Sequence, residues 1–506
     1  MLHNAAVALA ALAITIPALA AEPPLLTTAV IQGSTAYSPA ELFESYRDQL
    51  GKPVTRDSAR AIVAGLQELY TRDGYSKPEL ALHDELVAHG ILRLEVFEPH
   101  ITSVMVTGDA GPHQRALAQA TEQLRQRRPV HRLEMQQALR ELRELPGLTI
   151  TANIRRDDSS RNGFQLVVDA SFKPVEAVVR LTNRGTSEIG PMFALTQLVA
   201  NGLLGREEKI GLLTASAVEY REYHGVGAFI DAPIGLDDTR AMLMGFRSAS
   251  NPTEVGGDSD DQYLRDRLVL KVTHRMDSAA ELHWSTFGGL ELEDLEVEQD
   301  GLQTRDDQLR ILTLGSRIGW RSGAATQNSA SVELLKGLDA LGAGLQADDL
   351  PVDERRVDFA LLKVQYTGQM GFMTRWALRL DAFGQYSGDV LPDSQRFKIG
   401  GDRLGRGFEV AEIAGDTGAG GKLELRRELG TDMPVLGKTS AYGFYDIGAA
   451  WKANDPGPES AATAGVGLSM NAERVSGQIE IAAPLTHADV EGSDATSVFA
   501  ELSYRF

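Results

Sequence analysis

The sequence contains no cysteine, although its first residues have the pattern of an export signal. A short polar start, Met1–Asn4, precedes the apolar run Ala5–Ile16, and the small residues Ala18-Leu19-Ala20 fit a cleavage site. We therefore predict a signal peptide over residues 1–20 and an exported mature chain. Without cysteine, that chain has neither a disulfide framework nor a cysteine-ligated metal in an oxidising compartment.

Long apolar runs, excess positive charge and catalytic motifs are also missing. No later segment offers about 18 uninterrupted apolar residues, which argues against a helical membrane protein. The net charge of −20 argues against a nucleic-acid partner, which requires a basic surface. The 10 histidines show no HExxH spacing, and neither GxSxG nor a P-loop occurs. We predict no enzyme, no catalytic residue, no metal and no cofactor. A soluble periplasmic protein, a secreted protein and an outer-membrane barrel remain open.

The first part of the mature chain consists of two units with the same order of elements. In residues 25–99 the order is strand, helix, helix, strand, strand, and it recurs in residues 100–173. Ser38-Pro39-Ala40-Glu41 has the pattern of a capping box, which predicts a helix from there to about Leu50. Two consecutive units with one order of elements form an internal repeat, and they predict two small α+β domains.

Beyond Lys173 the helical periodicity gives way to short alternating segments separated by Gly, Asp, Asn and Pro. Sixteen such segments follow, from Val175–Asn183 to Ser497–Phe506. An even number of alternating strands of about ten residues is typical of a transmembrane antiparallel β-barrel. The fold class predicted is therefore two α+β repeats followed by a barrel of 16 strands in residues 174–506.

The last strand shows the alternation most clearly. Val498, Leu502, Tyr504 and Phe506 share one face, while polar residues such as Ser503 lie on the other. A period of two directs the first set toward lipid and the second toward the lumen. A soluble sandwich would alternate too, but its apolar last strand would need a cover that the chain does not supply. The low aromatic content of 6% weighs against a barrel, which usually carries aromatic girdles.

A glycine-rich stretch, Phe397–Glu428, has one arginine at its centre. Gly405 and Gly407 flank Arg406, and Phe408 follows; Asp446 stands alone in a later aromatic strand. With 16 strands and both termini on one side, residues 387–417 form an outer loop between strands eleven and twelve. We predict that this loop folds back into the lumen and that Arg406 pairs with Asp446, since opposite charges attract strongly in a confined interior. An exposed glycine-rich turn is the alternative.

Several motifs resemble those of one family. LGRGFE (Leu404–Glu409), FYDIG (Phe444–Gly448), DAPIG (Asp231–Gly235) and LTNRGTSEIGP are similar to motifs of the TpsB transporters of two-partner secretion. These are the ShlB/FhaC/HecB proteins, in the POTRA–barrel superfamily that includes BamA and TamA. The resemblance covers nearly the whole mature chain. It implies POTRA 1 at residues 25–99, POTRA 2 at residues 100–173 and an outer-membrane barrel with an in-folded loop at residues 387–417.

The resemblance also implies a function. It describes an outer-membrane transporter of a Gram-negative bacterium, with periplasmic POTRA domains that bind an unfolded exoprotein client for export, as in haemolysin secretion and activation. The loop-tip motif would be Gly405, Arg406, Gly407 and Phe408. Its barrel-wall partners would be Asp446 and Gly448. Tyr504 and Phe506 would be the insertion signal read by the barrel-assembly machinery, and outer-membrane lipid would surround the barrel.

Two departures from the family's pattern and three rival functions remain. Gly405 replaces a usual valine, which predicts a looser tip. The first POTRA begins almost directly after the signal peptide, which leaves no room for a plug helix and predicts either a pore closed by the hairpin alone or a leakier pore. The alternatives are an assembly and insertion factor of the BamA/TamA type, a passive porin, and a soluble binding protein.

Overall fold

The computed structural model describes residues 23–506 except 84–86, 187–188, 220, 236–237, 253–260, 277–281, 324, 348–353, 431–436 and 487–494. The predicted signal peptide lies outside the described residues. Among the residues described, no helix is both long enough and apolar enough to cross a bilayer.

The first α+β repeat is a three-stranded sheet covered by two helices. Its elements are β1 Thr28–Gln32, α1 Pro39–Glu44, α2 Arg56–Arg72, β2 Glu79–His83 and β3 Ile91–Phe97, and the sheet order is β1-β3-β2. The predicted capping box is confirmed: Ser38 accepts from the Glu41 N–H, and the Glu41 carboxylate accepts from the Ser38 N–H at 2.8 Å. The first helix ends at Glu44, earlier than predicted, and a 3-10 turn, Arg47–Gln49, replaces its last turn.

A buried glutamate fixes the loop that follows β1 in this repeat. Glu98 is 8% exposed and accepts hydrogen bonds from the Thr35 N–H at 2.8 Å, the Ala36 N–H at 3.1 Å and the Tyr70 hydroxyl at 2.6 Å. Burial raises the pKa of the Tyr70 phenol, and its hydrogen bond to the Glu98 carboxylate raises that pKa further. The loop and helix α2 are thereby joined at one polar point beneath an otherwise apolar core of leucine, isoleucine and tyrosine.

The second repeat has the same design. Its elements are β4 His100–Asp109, α3 Gln114–Gln126, α4 Arg132–Glu144, β5 Leu148–Asp157 and β6 Gly163–Phe172. The sheet order is β4-β6-β5, so in each repeat the last strand of the unit is central. This shared order confirms the predicted internal repeat.

The remaining strands form a closed antiparallel barrel and a separate two-stranded hairpin. The strands are β7 Val175–Thr182, β8 Phe193–Asn201, β9 Lys209–Ala217, β10 Tyr223–Pro233, β11 Thr239–Ser250, β12 Gln262–Met276, β13 Leu282–Gln299, β14 Leu302–Arg321, β15 Thr326–Gly337, β16 Gly344–Ala347, β17 Ala360–Phe372, β18 Trp376–Tyr386, β19 Phe397–Ile399, β20 Ile413–Gly415, β21 Thr417–Glu428, β22 Lys438–Lys452, β23 Asp455–Asn471, β24 Val475–Pro484 and β25 Ser497–Arg505. Short β16 pairs with the start of β14, and β19 pairs only with β20. The other 16 strands close the cylinder, as predicted.

Strands β25 and β7 complete the barrel along a short seam. Their pairing runs from Glu501↔Thr182 to Arg505↔Val178. Beyond it, the Asn183 side chain continues the ladder, since its amide donates to the Val498 carbonyl at 2.9 Å and accepts from the Ala500 N–H at 2.7 Å. We call the end of the barrel where β7 begins and β25 ends the N-terminal rim.

Side chains alternate between the two faces of the wall. On β22, Tyr445 and Ile447 are exposed on either side of Asp446, which is fully buried. On β24, Ile479 and Ile481 flank buried Glu480 in the same way. The period of two therefore places apolar side chains outside and polar ones inside, as expected for a wall that faces lipid.

Strands β13 and β14 are longer than a bilayer requires. They contain 18 and 20 residues, whereas about 9–11 residues cross the hydrocarbon core. Their polar joined ends, around Asp300-Gly301, extend past the rim opposite the N-terminal rim. The strands were predicted but their extension was not, although Leu295 and Val297 are buried there and alternate with exposed Glu296 and Glu298.

The segment 387–416 joins β18 to β21 from the opposite rim and turns back into the lumen. Its hairpin, formed by β19 and β20, packs on the inner face of β21, β22 and β23. Buried Phe397, Ile399 and Phe408 form a small apolar cluster with Ala450 of the wall.

Candidate functional site

The hairpin reaches its turn through glycines that no other residue could replace. Gly400 has φ +115°, and a Cβ there would lie 1.8 Å from the Glu409 carbonyl oxygen. The Gly400 N–H donates to the Leu404 carbonyl at 2.8 Å, and the Phe408 N–H donates to the Gly405 carbonyl at 3.0 Å. Two successive turns thus direct residues 404–408 into the wall.

The glycines on both sides of Arg406 serve different purposes. Gly405 has φ +83°, in the left-handed region, so the valine of the family's pattern would be strained here. Gly407 allows close approach, because a Cβ there would lie 2.9 Å from Thr463 Cγ2 and 3.0 Å from the Pro484 nitrogen. The tip is therefore fitted to the wall by backbone shape as well as by charge.

Leu404 fills a recess in the wall made by two glycines. Gly420 of β21 and Gly448 of β22 are register partners. A Cβ on Gly420 would lie 2.3 Å from Leu404 Cδ2, and a Cβ on Gly448 would lie 2.9 Å from the same atom. Gly448 thus lies at the position where the wall receives the hairpin, and Phe408 is buried beside it with 3% exposure.

Arg406 lies against Asp446 in a bidentate pair. Its Nε donates to Asp446 Oδ2 at 3.0 Å, its second terminal nitrogen donates to Oδ1 at 2.8 Å, and its backbone N–H donates to Oδ2 at 3.2 Å. The side chains are 4% and 0% exposed. The guanidinium carbon also lies 3.5 Å from the centre of the Phe444 ring. Both members of the predicted pair are therefore at one buried point on the inner wall.

Arg406 has further carboxylate neighbours. Its remaining terminal nitrogen donates to Glu480 Oε1 at 2.9 Å and lies 3.6 Å from Glu424 Oε2. Arg184 also contacts Glu480, and Arg426 lies 2.7 Å from Glu424. We call the six side chains the tip cluster: Arg184, Arg406, Glu424, Arg426, Asp446 and Glu480. Its three cations balance its three carboxylates, which offsets much of the desolvation cost of burying them.

A second set of contacts holds the base of the loop. Asp416 is 2% exposed and accepts from the Leu391 N–H at 2.8 Å and from the Ala453 N–H at 2.8 Å. Leu391 itself is fully buried among side chains of the β14–β17 wall. The beginning and the end of the loop are thereby joined to each other and to the β22–β23 turn.

An ion network continues from the base to the extended strands. Arg305 of β14 lies between Asp307 at 2.6 Å and Asp393 of the loop at 2.8 Å, and Arg355 donates to Asp307 at 2.8 Å. The loop is thus attached at two separate places, at its tip on β21–β24 and at its base on β14–β17.

The C-terminal residues lie on the outer face at the N-terminal rim. Tyr504 and Phe506 stack edge to face with ring centroids 4.7 Å apart, and the Phe506 N–H donates to the Ala177 carbonyl at 3.0 Å. Phe506 is 66% exposed. The structure holds them beside the seam between β25 and β7.

Four residues of the site were not predicted from the sequence: Glu480, Glu424, Arg184 and Asp416. Glu480 has a usable signal, a single acid between Ile479 and Ile481 that alternation directs inward, as for Asp446. Arg184 and Asp416 lie in loops, where no periodicity marks direction. Within the described ranges, no group of three or more side chains is placed to hold a metal ion.

Comparisons with known proteins show a likeness to outer-membrane transporters. Residues 297–470 match the sequence model of the family described as haemolysin secretion/activation protein ShlB/FhaC/HecB. The chain is 21% identical over 495 residues to the outer membrane transporter CdiB of Escherichia coli, covering 95% of this chain and 82% of that protein.

Solved structures share the fold. CdiB from Escherichia coli superposes with a TM-score of 0.75 at 19% identity, covering 97% of this chain and 92% of the other. BamA from Haemophilus ducreyi lacking POTRA domains 1–3 gives 0.52 at 12% identity, covering 96% and 100%. The two α+β repeats, the 16-stranded barrel and the family match lead to one conclusion. These findings support a TpsB-type two-partner secretion transporter, similar over residues 297–470 to the ShlB/FhaC/HecB family, in the outer membrane of a Gram-negative bacterium.

Proposed function

We propose that the chain exports one unfolded secreted protein, of the haemolysin-like class named in the family's description, through its barrel. The predicted POTRA domains, residues 25–99 and 100–173, would receive the client in the periplasm. The sheet order supports strand addition, because β2 of the first repeat is an edge strand with exposed Leu82. An edge strand offers main-chain hydrogen bonds to almost any extended sequence, which suits an unfolded client.

The observation that carries the proposal is a buried arginine at the tip of a loop inside the lumen. Arg406 reaches two carboxylates of the wall, Asp446 and Glu480, within hydrogen-bonding distance. A hairpin docked in this way occupies space that an extended client needs. We therefore assign to the tip cluster the role of a latch that holds the hairpin when no client passes and releases it during export.

Release is feasible because the docked state is held by charges as well as by packing. A balanced ion cluster can be exchanged for hydration when the lumen fills with water and client, whereas an apolar plug would lose its whole buried area. No nucleotide site is required, since folding of the client outside the cell would bias its net movement outward. Tyr504 and Phe506 would serve an earlier step, recognition by the barrel-assembly machinery.

Crosslinking tests the proposed client path. Because the chain lacks cysteine, a Leu82→Cys variant carries one thiol, at the proposed edge strand. A secreted client that carries cysteines along its N-terminal region should crosslink to it during export. Phe43→Cys is the matched control, since Phe43 is exposed on α1 rather than on a sheet edge. Equal crosslinking at both positions would contradict strand addition.

A strain that lacks this chain distinguishes a transporter from an assembly factor. Loss of the chain should abolish secretion of its client and leave the levels of other outer-membrane barrels unchanged. Reduced levels of unrelated barrels with normal client secretion would instead support the BamA/TamA type of function.

A further inference from the structure

The outer wall of the barrel has an apolar groove across β21–β24. Its volume is about 850 Å³. The floor is made of small outward-facing residues, Ala441 and Gly443 of β22, and a Cβ on Gly443 would meet only the Gly465 carbonyl, 3.9 Å away. Larger side chains of the neighbouring strands form the sides: Leu423, Leu425, Val466, Leu468 and Ile479.

An arginine and a tryptophan close the groove at the N-terminal rim. Trp376 pairs with Arg427, and Arg427 pairs with Ala441, so all three lie in one row on the outer face. The Arg427 guanidinium lies 5.4 Å from the Trp376 ring centre. Within the described part of the chain Arg427 forms no ion pair, although Arg240 and Arg275 near the same rim each contact an aspartate.

We propose that this groove binds one anionic glycerophospholipid of the periplasmic leaflet. With the proposed periplasmic POTRA domains the N-terminal rim is periplasmic, because the chain runs there directly from the end of β6 at Phe172 to the start of β7 at Val175. The phosphate would lie at Arg427 beside Trp376, at the headgroup level where such residues are favoured. The acyl chains would follow the groove toward Tyr445. From Arg427 to Leu423 the wall rises four residues, about 13 Å, which matches one leaflet of a core about 30 Å thick.

The geometry favours lipid over any other occupant. The groove faces outward in a wall whose neighbouring side chains are exposed and apolar, so only lipid has access to it in the membrane. A phosphate satisfies the arginine by charge-assisted hydrogen bonds, and acyl chains fill the space above Gly443. The proposal depends on the outer-membrane barrel and is independent of the client and of the hairpin latch.

Native mass spectrometry of the full chain tests the proposal. The protein is reconstituted with equal amounts of phosphatidylglycerol and phosphatidylcholine, and the lipids that it retains are counted. Wild type should retain phosphatidylglycerol preferentially. Arg427→Gln should lower that retention about fivefold, the effect of one cation facing an anionic lipid. Gly443→Leu should lower retention of both lipids, because the leucine fills the floor.

Gly245→Leu is the matched control. Gly245 also faces outward on a different part of the wall, and the neighbouring Arg247 is paired with Asp266 at 3.3 Å. This variant should bind lipid as wild type does. Equal retention of the two lipids by wild type, or an unchanged preference in Arg427→Gln, would overturn the proposal. If Gly443→Leu fails to form a heat-modifiable barrel, the lipid preference of Arg427→Gln by itself tests the proposal.

Discussion

Replacing Arg406 with alanine should release the hairpin without unfolding the barrel. The substitution removes the hydrogen bonds that the guanidinium donates to Asp446 and Glu480. Three carboxylates then remain with two cations, Arg184 and Arg426. Breaking a buried ion pair by removing one partner costs about 3–5 kcal/mol, because the other charge stays buried and uncompensated.

That cost applies to the docked state and much less to the released state, where water solvates the carboxylates. A difference of about 3–5 kcal/mol lowers the ratio of docked to released hairpin roughly 150-fold to 5,000-fold. The strand ladders of the barrel contain none of these side-chain bonds. We therefore expect a more conductive pore and impaired secretion, with normal barrel formation.

Planar-bilayer conductance, a secretion assay and heat-modifiability on gels measure the three effects. Arg403→Ala is the matched control on the same hairpin, because Arg403 is exposed and contacts the Phe383 ring at 5.0 Å rather than a carboxylate of the tip cluster. If Arg406→Ala and Arg403→Ala both conduct and secrete as wild type does, the latch does not exist. Loss of heat-modifiability in Arg406→Ala alone would show a structural role instead.

Three further substitutions should separate charge, shape and assembly. Asp446→Ala should impair secretion less than Arg406→Ala does, since Glu480 still pairs with Arg406. Equal defects in the two variants would show that Glu480 does not hold the arginine once Asp446 is removed. Gly448→Leu should raise conductance without changing any charge, because its side chain occupies the recess of Leu404; unchanged conductance would show that the recess is not needed. Deleting Phe506 should lower the amount of folded barrel in the outer membrane while each folded molecule conducts normally, and normal barrel levels would exclude it as an insertion signal.

Much of the fold follows from local patterns in the sequence. The capping box at Ser38 fixes the start of α1, and alternation around Asp446 assigns an inward face to β22. Both signals involve residues that are close together in the sequence, so they can be recognised without a structure. The extended ends of β13 and β14 were not predicted, although Leu295 and Val297 alternate there with Glu296 and Glu298.

The site was predictable only in part, because its contacts join distant segments. Arg406 and Asp446 stood out through their glycine-rich and aromatic surroundings. Arg184 enters the same cluster from the loop after β7, and no pattern in the sequence marks where its side chain lies. Gly405 was visible in the sequence as a departure from the family's valine, but its reason was not. The structure supplies the reason, because Gly405 has φ +83°, where valine would be strained.

Whether the hairpin must leave the wall during export is tested most directly by locking it there. A Cβ at Gly448 would lie 2.9 Å from Leu404 Cδ2, so Leu404→Cys and Gly448→Cys together bring two thiols within reach of a disulfide. The native chain has no cysteine to compete, and the two single variants are the controls. The oxidised double variant should not secrete its client, and a reductant should restore secretion to the level of the single variants. Full secretion from the oxidised, crosslinked protein would contradict release of the hairpin as a step of transport.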